Sequence, residues 1–353
     1  MSEKKEIQIK ILKENKEKAT KEDFLNILRQ ISPGTNMRAA LEGVVSAKKG
    51  ALIVVGNEFI DNLTDGGFKI NCRFTPQRVI ELAKMDGAIL LSKDMKRITH
   101  ANILLTPDTK IKTKETGTRH KAAERIAKQA GIMAMAVSER KNEINIYYKN
   151  LKYHLRSTSE VLRRATETLH ILEKQRELFD DNLTQLNFSE VYDDLDLKQA
   201  CKVIQKGKSI QKILKSQEKT LIELGNEGGA LRLRIKELIR GVEKETDLII
   251  KDYTKLNLKK TKNILGSLTY DELIDSENII TALAREESDK IEEIKGWRIL
   301  SKTKIEERKI ASLLKEFGNL SKILSLEKAQ FNNLLGEHNS KIFYKAIEKL
   351  KNQ

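Results

Sequence analysis

A short segment rich in hydroxyl, basic and glycine residues carries the first candidate chemistry. Glu115-Thr116-Gly117-Thr118-Arg119-His120-Lys121 leads directly into a stretch with helical spacing that ends at Gly131. The N-terminus of a helix presents free backbone N–H groups and partial positive charge, so this turn can hold the phosphates of a nucleotide. On residue types alone, a solvated capping turn is an equally good interpretation.

A second candidate is Asp86, which lies in Lys84-Met85-Asp86-Gly87-Ala88 between a predicted helix and a predicted strand. Glycine beside an acid lets a ligand approach the backbone closely. A carboxylate oxygen suits the divalent cation that accompanies ATP chemistry. The alternative is a turn in which Asp86 only accepts hydrogen bonds from its own backbone.

The common phosphate-binding motifs are missing from the sequence. It contains no GxxxxGK[ST] segment and no GxGxxG after a predicted strand, which excludes an ordinary P-loop enzyme. Cys72 and Cys201 lie far apart, without the spacing of a disulfide framework or a metal site. We expect both cysteines to be buried as small apolar side chains.

The elements that must position these residues have the pattern of an α/β domain. Short apolar runs bounded by glycine or charge predict buried strands, and segments with helical spacing separate them. The predicted strands are Ala51–Val55, Ala88–Leu91 and Ile132–Val137, and the predicted helices are Pro76–Met85 and Thr118–Ala130, the second closed by Gly131.

From about residue 155 the pattern changes to long helices. Apolar residues alternate at spacings of three and four, which predicts one long amphipathic helix that packs against another helix or another subunit. The seam consists of Leu162, Ala165, Leu169, Leu172, Arg176, Phe179, Leu183 and Leu186, of which only Arg176 is polar. A second helical stretch runs from 198 to 253, with a predicted break at Gly225, Gly228 and Gly229.

The end of the chain is strongly basic. Residues 296–353 contain 12 Lys or Arg and 6 Glu, with apolar clusters that predict several short helices. The net charge of the whole chain is +15, which indicates a polyanionic partner such as a nucleotide, a nucleic acid or an acidic lipid. No segment has the length and hydropathy of a signal peptide or a membrane span, so we expect a cytoplasmic protein without a membrane partner.

Several stretches of the sequence, taken together, resemble the DisA-type diadenylate cyclase family. Asp86-Gly87-Ala88 and Arg119-His120-Lys121 stand where the family has Asp-Gly-Ala and Arg-His-Arg, and similarity is nearly continuous from about 30 to 150. The other similar stretches are PGTNMRAALEGVVSAKKGALIVVG, DGGFKIN, ITHANILLTPD and AAERIAKQAGIMAMAVSER in the front part, LGNEGGALRLRIKELIRGVEKETDLIIKDY in the helical part, and GWRIL at the start of the basic tail.

The resemblance implies a fold in three parts. An α/β N-terminal diadenylate cyclase domain would occupy residues 1–150, an all-α linker or spine 151–290, and a C-terminal helix-hairpin-helix domain of DNA-binding type 291–353. In such a family, two ATP molecules are condensed to cyclic di-AMP and two pyrophosphates across a face-to-face pair of subunits. The implied partners are ATP, further copies of the chain in a homo-octamer, and branched DNA.

The resemblance also implies roles for single residues. Asp86, Arg119 and His120 would be catalytic, and Asp86 and His120 would hold Mg²⁺ or Mn²⁺. The residues expected to bind ATP are Gly87, Leu105, Thr118, Arg119, Lys121 and Ser138.

Departures from the family pattern keep other functions open. Lys121 replaces an arginine and Ala122 a threonine, which exchanges a two-pronged phosphate clamp for a point charge and removes a hydroxyl donor. The last hairpin, Leu335-Gly336-Glu337-His338-Asn339, lacks the usual second glycine. We therefore expect a weakened enzyme. The alternatives are a structural protein that binds DNA junctions and carries a degenerate cyclase domain, or a nucleotidyltransferase with another acceptor.

Overall fold

The computed structural model describes residues 18–56, 60–286, 293–303 and 305–351. Its contacts divide the chain into two compact units, Met1–Ala165 with Lys219–Ala230, and Thr166–Glu218 with Leu231–Gln353. The predicted boundary at residues 290 and 291 lies outside the described residues, as does the start of the chain.

The first unit is built on an eight-stranded sheet in the order β2-β5-β4-β1-β6-β7-β8, with β3 paired to β5. Among these strands β1 and β4 are parallel, and the other pairings are antiparallel. The strands are β1 (Ala51–Val55), β2 (Thr64–Asp65), β3 (Phe68–Arg73), β4 (Ala88–Leu91), β5 (Arg97–Leu105), β6 (Met133–Val137), β7 (Ile144–Tyr148) and β8 (Leu151–Leu155).

Helices cover both faces of this sheet. They are α1 (Lys21–Gln30), α2 (Asn36–Ser46), α3 (Pro76–Leu82) and α4 (Thr118–Ala130). Buried residues of α1, α2 and α3 share one core cluster with Ala51 and Ile53, whereas those of α4 share another with Leu52 and Val54. Successive residues of β1 thus enter opposite cores, which explains an uninterrupted apolar run in a strand buried on both faces. The predicted strands and helices of this part are confirmed, except that α3 ends at Leu82 and not at Met85, and β6 begins at Met133 and not at Ile132.

Residues 219–230 belong to the first unit through specific contacts. The Tyr153 hydroxyl donates to the buried carboxylate of Glu223. Gly225 has φ +50°, and a Cβ there would lie 2.6 Å from the carbonyl oxygen of Pro33. The predicted glycine break is confirmed, and glycine is required there because the two backbones approach closely.

After β8 the described chain is helical. The helices are α5 (Thr158–Val191), α6 (Leu197–Glu223), α7 (Gly229–Leu238), α8 (Val242–Tyr253), α9 (Leu258–Ser267), α10 (Tyr270–Ile274), α11 (Ser276–Ala282), α12 (Trp297–Lys302), α13 (Glu307–Phe317), α14 (Leu320–Leu324), α15 (Lys328–Leu335) and α16 (Glu337–Lys351). A left-handed residue, Gly241, separates α7 from α8 and is a second break that the sequence pattern did not indicate.

The long seam helix is confirmed as α5, with one correction. Leu162 is 39% exposed and Val161 is buried in its place, because the buried face begins one residue earlier. The polar break in the seam has a structural role. Arg176 pairs with Asp180 and donates to the carbonyl oxygens of Leu238 and Arg240, at 3.0 and 2.9 Å, where α7 ends.

The structure also tests the expected burial of the two cysteines and the expected lack of a membrane span. Cys201 is buried as expected, but Cys72 is only half-buried because it lies on the partly exposed strand β3. Within the described parts of the chain, no helix combines the length and hydropathy needed to cross a membrane.

Candidate active site

One edge of the sheet brings together the ends of four strands. The parallel strands β1 and β4 begin at this edge, while β5 and β6 run the opposite way and end there, so Ala51 pairs with Val137 and Ala88 with Ile103. Since α4 leads back into β6 through Gly131, the N-terminus of α4 lies where β6 ends. The topology thus places the two candidate segments of the sequence at one edge.

Asp86 lies in the turn that enters β4, with its carboxylate fully exposed. Its Oδ1 is 3.9 Å from Nη2 of Arg119, the second residue of α4. Gly87 has φ +82°, and a Cβ there would come within 2.8 Å of the backbone of β5 at Asn102. Glycine is therefore required by the close approach of two backbone segments, which fixes the position of Asp86 relative to β5.

The first turn of α4 presents unsatisfied backbone donors. Its N-cap residue is Gly117, which has an extended conformation and no side chain to accept a hydrogen bond from the helix. The backbone N–H of Lys121 donates to the carbonyl oxygen of Gly117, and the N–H groups before it have no side-chain cap. Together with the helix dipole, these groups favour an anion at this position.

Side chains of α4 form hydrogen bonds with the backbone of the loop that precedes this helix. The backbone N–H of Asp108 donates to Oε1 of Gln129 at 2.8 Å, Nε of Arg125 donates to the carbonyl oxygen of Ile111, and Nζ of Lys128 donates to that of Lys112. These contacts hold the loop against the C-terminal half of α4. They restrict where Glu115 and the turn after it can lie.

His120 lies in a half-buried environment next to the ring of Tyr147, with 6.5 Å between ring centroids and an edge-on arrangement. Burial lowers the pKa of His120, and the negative charge of Glu115 opposes that shift in part. Glu115 is also paired with Lys152, on β8. The imidazole is thus favoured in its neutral form, which can accept a proton or bind a metal.

The structure brings only part of the predicted site together. Leu105 is buried at the end of β5, and Ser138 follows β6, where its hydroxyl accepts from the backbone N–H of Lys141 at 3.3 Å. Both lie at the same edge as Asp86 and Gly87. His120 has different neighbours from Asp86, and among the described residues no group of three or more His, Cys, Asp or Glu side chains could hold a metal.

Three residues that lie beside predicted site residues were not themselves predicted as site residues: Gly50, next to Arg119, and the pair of Glu115 and Lys152, next to His120. A glycine directly before a buried strand was a visible signal for Gly50. No local signal identifies Lys152, because the β7–β8 hairpin brings it to Glu115 from a distant part of the sequence.

Comparisons with known proteins agree with this arrangement. A family model described as the nucleotide-binding domain of the DisA bacterial checkpoint controller matches residues 38–151, and a model of its linker region matches residues 155–291. The fold and the site edge thus define a nucleotide-binding α/β domain followed by a helical linker. The chain belongs to the DisA family of diadenylate cyclases.

Two relatives are similar over nearly the whole chain. The DNA integrity scanning protein DisA of Acetivibrio thermocellus is 38% identical over 343 residues, which cover 94% of this chain and 95% of the relative. The protein of the same name from Clostridium acetobutylicum is 38% identical over 339 residues, with the same coverage. A solved structure of DacA from Staphylococcus aureus is 23% identical, with coverage of 34% of this chain and 85% of that chain and a TM-score of 0.28.

Proposed function

We propose that this chain condenses two ATP molecules into cyclic di-AMP and two pyrophosphates. Each 3′-hydroxyl would attack the α-phosphorus of the other ATP, form a new P–O bond and break the bond to the β-phosphate. The observation that carries this proposal is the edge where Asp86 and Arg119 meet beside the uncapped first turn of α4. Family membership supplies the nucleotide class.

The residues of this edge suit phosphate binding. Arg119, Lys121 and Thr118 would hold the triphosphate together with the N–H groups of α4, and Gly87, Leu105 and Ser138 would line the nucleotide pocket. His120, neutral because of burial, would accept the proton of the attacking hydroxyl or bind the cation. Catalysis would then consist mainly of aligning the attacking oxygen and balancing charge on the phosphates.

A divalent cation fits the donor set only in part. The exposed carboxylate of Asp86 is a hard oxygen ligand that suits Mg²⁺ or Mn²⁺, and such ions usually take one or two protein carboxylates and complete their coordination with phosphate and water oxygens. When bound, the cation would neutralise charge on the phosphates. We propose Asp86 as the main protein ligand, with His120 as the second.

The symmetry of the product supports a face-to-face pair of subunits. Cyclic di-AMP is two-fold symmetric, and an isologous dimer provides two identical half-sites. A single chain holds one ATP and should be inactive alone. We propose a homo-octamer as the full assembly.

The basic tail supports a role with DNA. Gly336, with φ +81°, links α15 to α16, and the rings of Phe331 and Phe343 stack between these helices at 4.2 Å. This helical hairpin lies in a tail, residues 296–353, that has 12 basic and 6 acidic residues, which is consistent with a helix-hairpin-helix module for branched DNA. We propose that the chain has three domains: a cyclase domain at 1–150, a helical linker at 151–290 and the helix-hairpin-helix domain at 291–353.

A second candidate function rests on the same edge. Lys121 and Ala122 weaken the phosphate clamp, which favours a DNA-junction-binding protein with a degenerate cyclase domain. Incubating the purified protein with ATP and Mg²⁺ or Mn²⁺, and identifying the product by mass, separates the functions. Formation of cyclic di-AMP would support the diadenylate cyclase. An adenylated acceptor would support a nucleotidyltransferase, and the absence of any product from the folded protein would support the DNA-junction-binding protein.

The same assay tests Asp86. Asp86→Asn removes the charge but keeps the size of the side chain, so product formation should fall by about 10²-fold or more. Asp271→Asn, at an exposed position in the first turn of α10, is a matched control that should retain full activity. Equal activity of both variants would assign Asp86 a role in the turn alone.

A further inference from the structure

Gly50 is the residue that directly precedes β1 at the candidate site. A Cβ at this position would lie 2.2 Å from Nη1 of Arg119, 3.0 Å from its Cζ and 3.3 Å from the carbonyl oxygen of Val137. The φ angle of Gly50 does not lie in the left-handed region, so the backbone itself accepts any residue. A side chain at this position would enter the space that the guanidinium of Arg119 occupies.

This contact restricts an otherwise mobile side chain. Arg119 is 37% exposed, and its long side chain would sample several rotamers in water. Gly50 lies on one side of the guanidinium, and the carboxylate of Asp86 lies 3.9 Å away. The guanidinium therefore lies between Gly50, at the start of β1, and the carboxylate of Asp86.

We infer that Gly50 is a positioning residue of the nucleotide site, because the absence of a side chain at Gly50 leaves the space in which the guanidinium of Arg119 lies. The inference rests on the proposed function for its substrate, a nucleoside triphosphate whose phosphates Arg119 would contact. An added methyl group must move the guanidinium by about 1 Å, since ordinary contacts begin at 3.4 Å and the separation would otherwise be 2.2 Å. A displacement of this size is enough to lower catalysis strongly.

Gly50→Ala tests this. We expect kcat/KM for ATP to fall by about 10- to 100-fold, with an unchanged melting temperature, because the displaced atoms are the end of a flexible side chain. Gly229→Ala is the matched control. Nothing lies within 4 Å of a Cβ at Gly229 and its φ is −57°, so activity and stability should stay at the level of the unmodified chain.

A double-mutant cycle separates positioning from a general structural effect. If Gly50 acts through Arg119, Gly50→Ala should have no further effect in an Arg119→Ala background. A further loss of activity in that background would overturn the inference. So would failure of Gly50→Ala to fold in both backgrounds, because the backbone at Val137 would then be what excludes the side chain.

A crystal structure of the Gly50→Ala protein tests the positioning role of Gly50 without a measurement of activity. Displacement of the Arg119 guanidinium from its position beside residue 50 supports the inference, and an unmoved guanidinium overturns it. If the unmodified chain made no cyclic di-AMP, the proposed function would fail while this readout would still decide the role of Gly50.

Discussion

Arg298 and Glu190 form an ion pair in which neither side chain is exposed to solvent, with Nη2 of the arginine 2.5 Å from Oε2 of the glutamate. The two residues are 108 positions apart in the sequence. Nη1 of Arg298 also donates to Asn187, and its backbone N–H donates to the carboxylate of Asp252 at 2.9 Å. The helix that begins the C-terminal region, α12, is thus bound to α5 and α8 by buried polar contacts.

Removing one partner of this pair should destabilise the second unit strongly. Arg298→Met leaves the Glu190 carboxylate buried without its cation, which typically costs about 3–5 kcal/mol. Lys322→Met is a control in the same unit, because Lys322 and Glu293 are both mostly exposed and 3.9 Å apart, so the loss should be below about 1 kcal/mol. Urea unfolding can be followed by the fluorescence of Trp297, the single tryptophan of the chain. Similar losses in both variants would contradict the prediction.

The same cluster predicts how stability depends on pH. Burial, together with the charge of Glu190, raises the pKa of Asp252 from 3.8 to about 7. Burial, together with the charge of Arg298, lowers the pKa of Lys302 from 10.5 to about 8. Between about pH 4 and 7 the folded unit keeps a proton on Asp252 that the unfolded chain has lost, so the free energy of unfolding falls as pH rises.

Between about pH 8 and 9 the sign reverses, because the unfolded chain keeps a proton on Lys302 that the folded unit has lost. Above about pH 9 Cys201 contributes the opposite slope, because burial raises its pKa from 9.0 to about 12. We therefore expect a minimum of stability between about pH 7 and 8. Asp252→Asn should reduce the fall in the free energy of unfolding on the acidic side of this minimum. Lys302→Met should reduce the rise in the free energy of unfolding on the alkaline side. A profile that neither variant changes would assign the pH dependence to other groups.

Local signals were sufficient for the elements that carry the candidate site. An uninterrupted apolar run defines β1 because both of its faces are buried, and Gly131 ends α4 because only glycine takes its left-handed conformation, φ +65°, without strain. The strand β3 gave no such signal. Its six residues alternate between apolar and polar types, but most of them are exposed and their pairing with β5 is irregular, so no buried apolar run marks the strand.

Contacts between distant residues could not be predicted from the sequence. An arginine in an amphipathic helix usually faces water, and nothing near Arg298 indicates that Glu190, 108 residues earlier, is buried with it. Similarly, the sequence motif identified Arg119 but not Gly50, since the space that a missing side chain leaves becomes visible only when the strand ends and α4 are placed together.

Restoring the family pattern at the phosphate turn should tighten ATP binding. Lys121→Arg with Ala122→Thr adds a two-pronged donor and a hydroxyl to the first turn of α4, and we expect the Kd for ATP to fall by up to about tenfold. Ala122 packs against the core beside α4, so a small loss of stability should accompany the change. Titration calorimetry with ATP measures the effect, with Lys236→Arg on α7 as the control. Unchanged affinity would show that positions 121 and 122 do not contact the triphosphate.

The last helix, α16, carries the most specific prediction for DNA. Lys341, Lys345 and Lys349 are exposed and follow one another at intervals of four residues, so they form a basic stripe along one face of α16. If this stripe contacts phosphates, replacing all three lysines with glutamine should weaken binding to every DNA and lower the slope of log K against log salt by about three. Replacing Lys236, Lys259 and Lys260, which are exposed on α7 and α9, changes the net charge equally and is the control.

Anisotropy titrations on a four-way junction and a matched linear duplex, at several salt concentrations, would measure both effects. We expect strong salt dependence with only a modest preference for the junction, because the proposed helix-hairpin-helix module has Glu337 and His338 in place of a second hairpin glycine. A chain truncated after Thr303 keeps α12 and its buried contacts with Glu190 and Asp252 and removes α13 to α16, so it should lose this binding while the rest of the second unit stays folded. Equal loss in the two triple variants would assign the affinity to net charge alone, and full binding by the truncated chain would place the DNA contacts outside the tail.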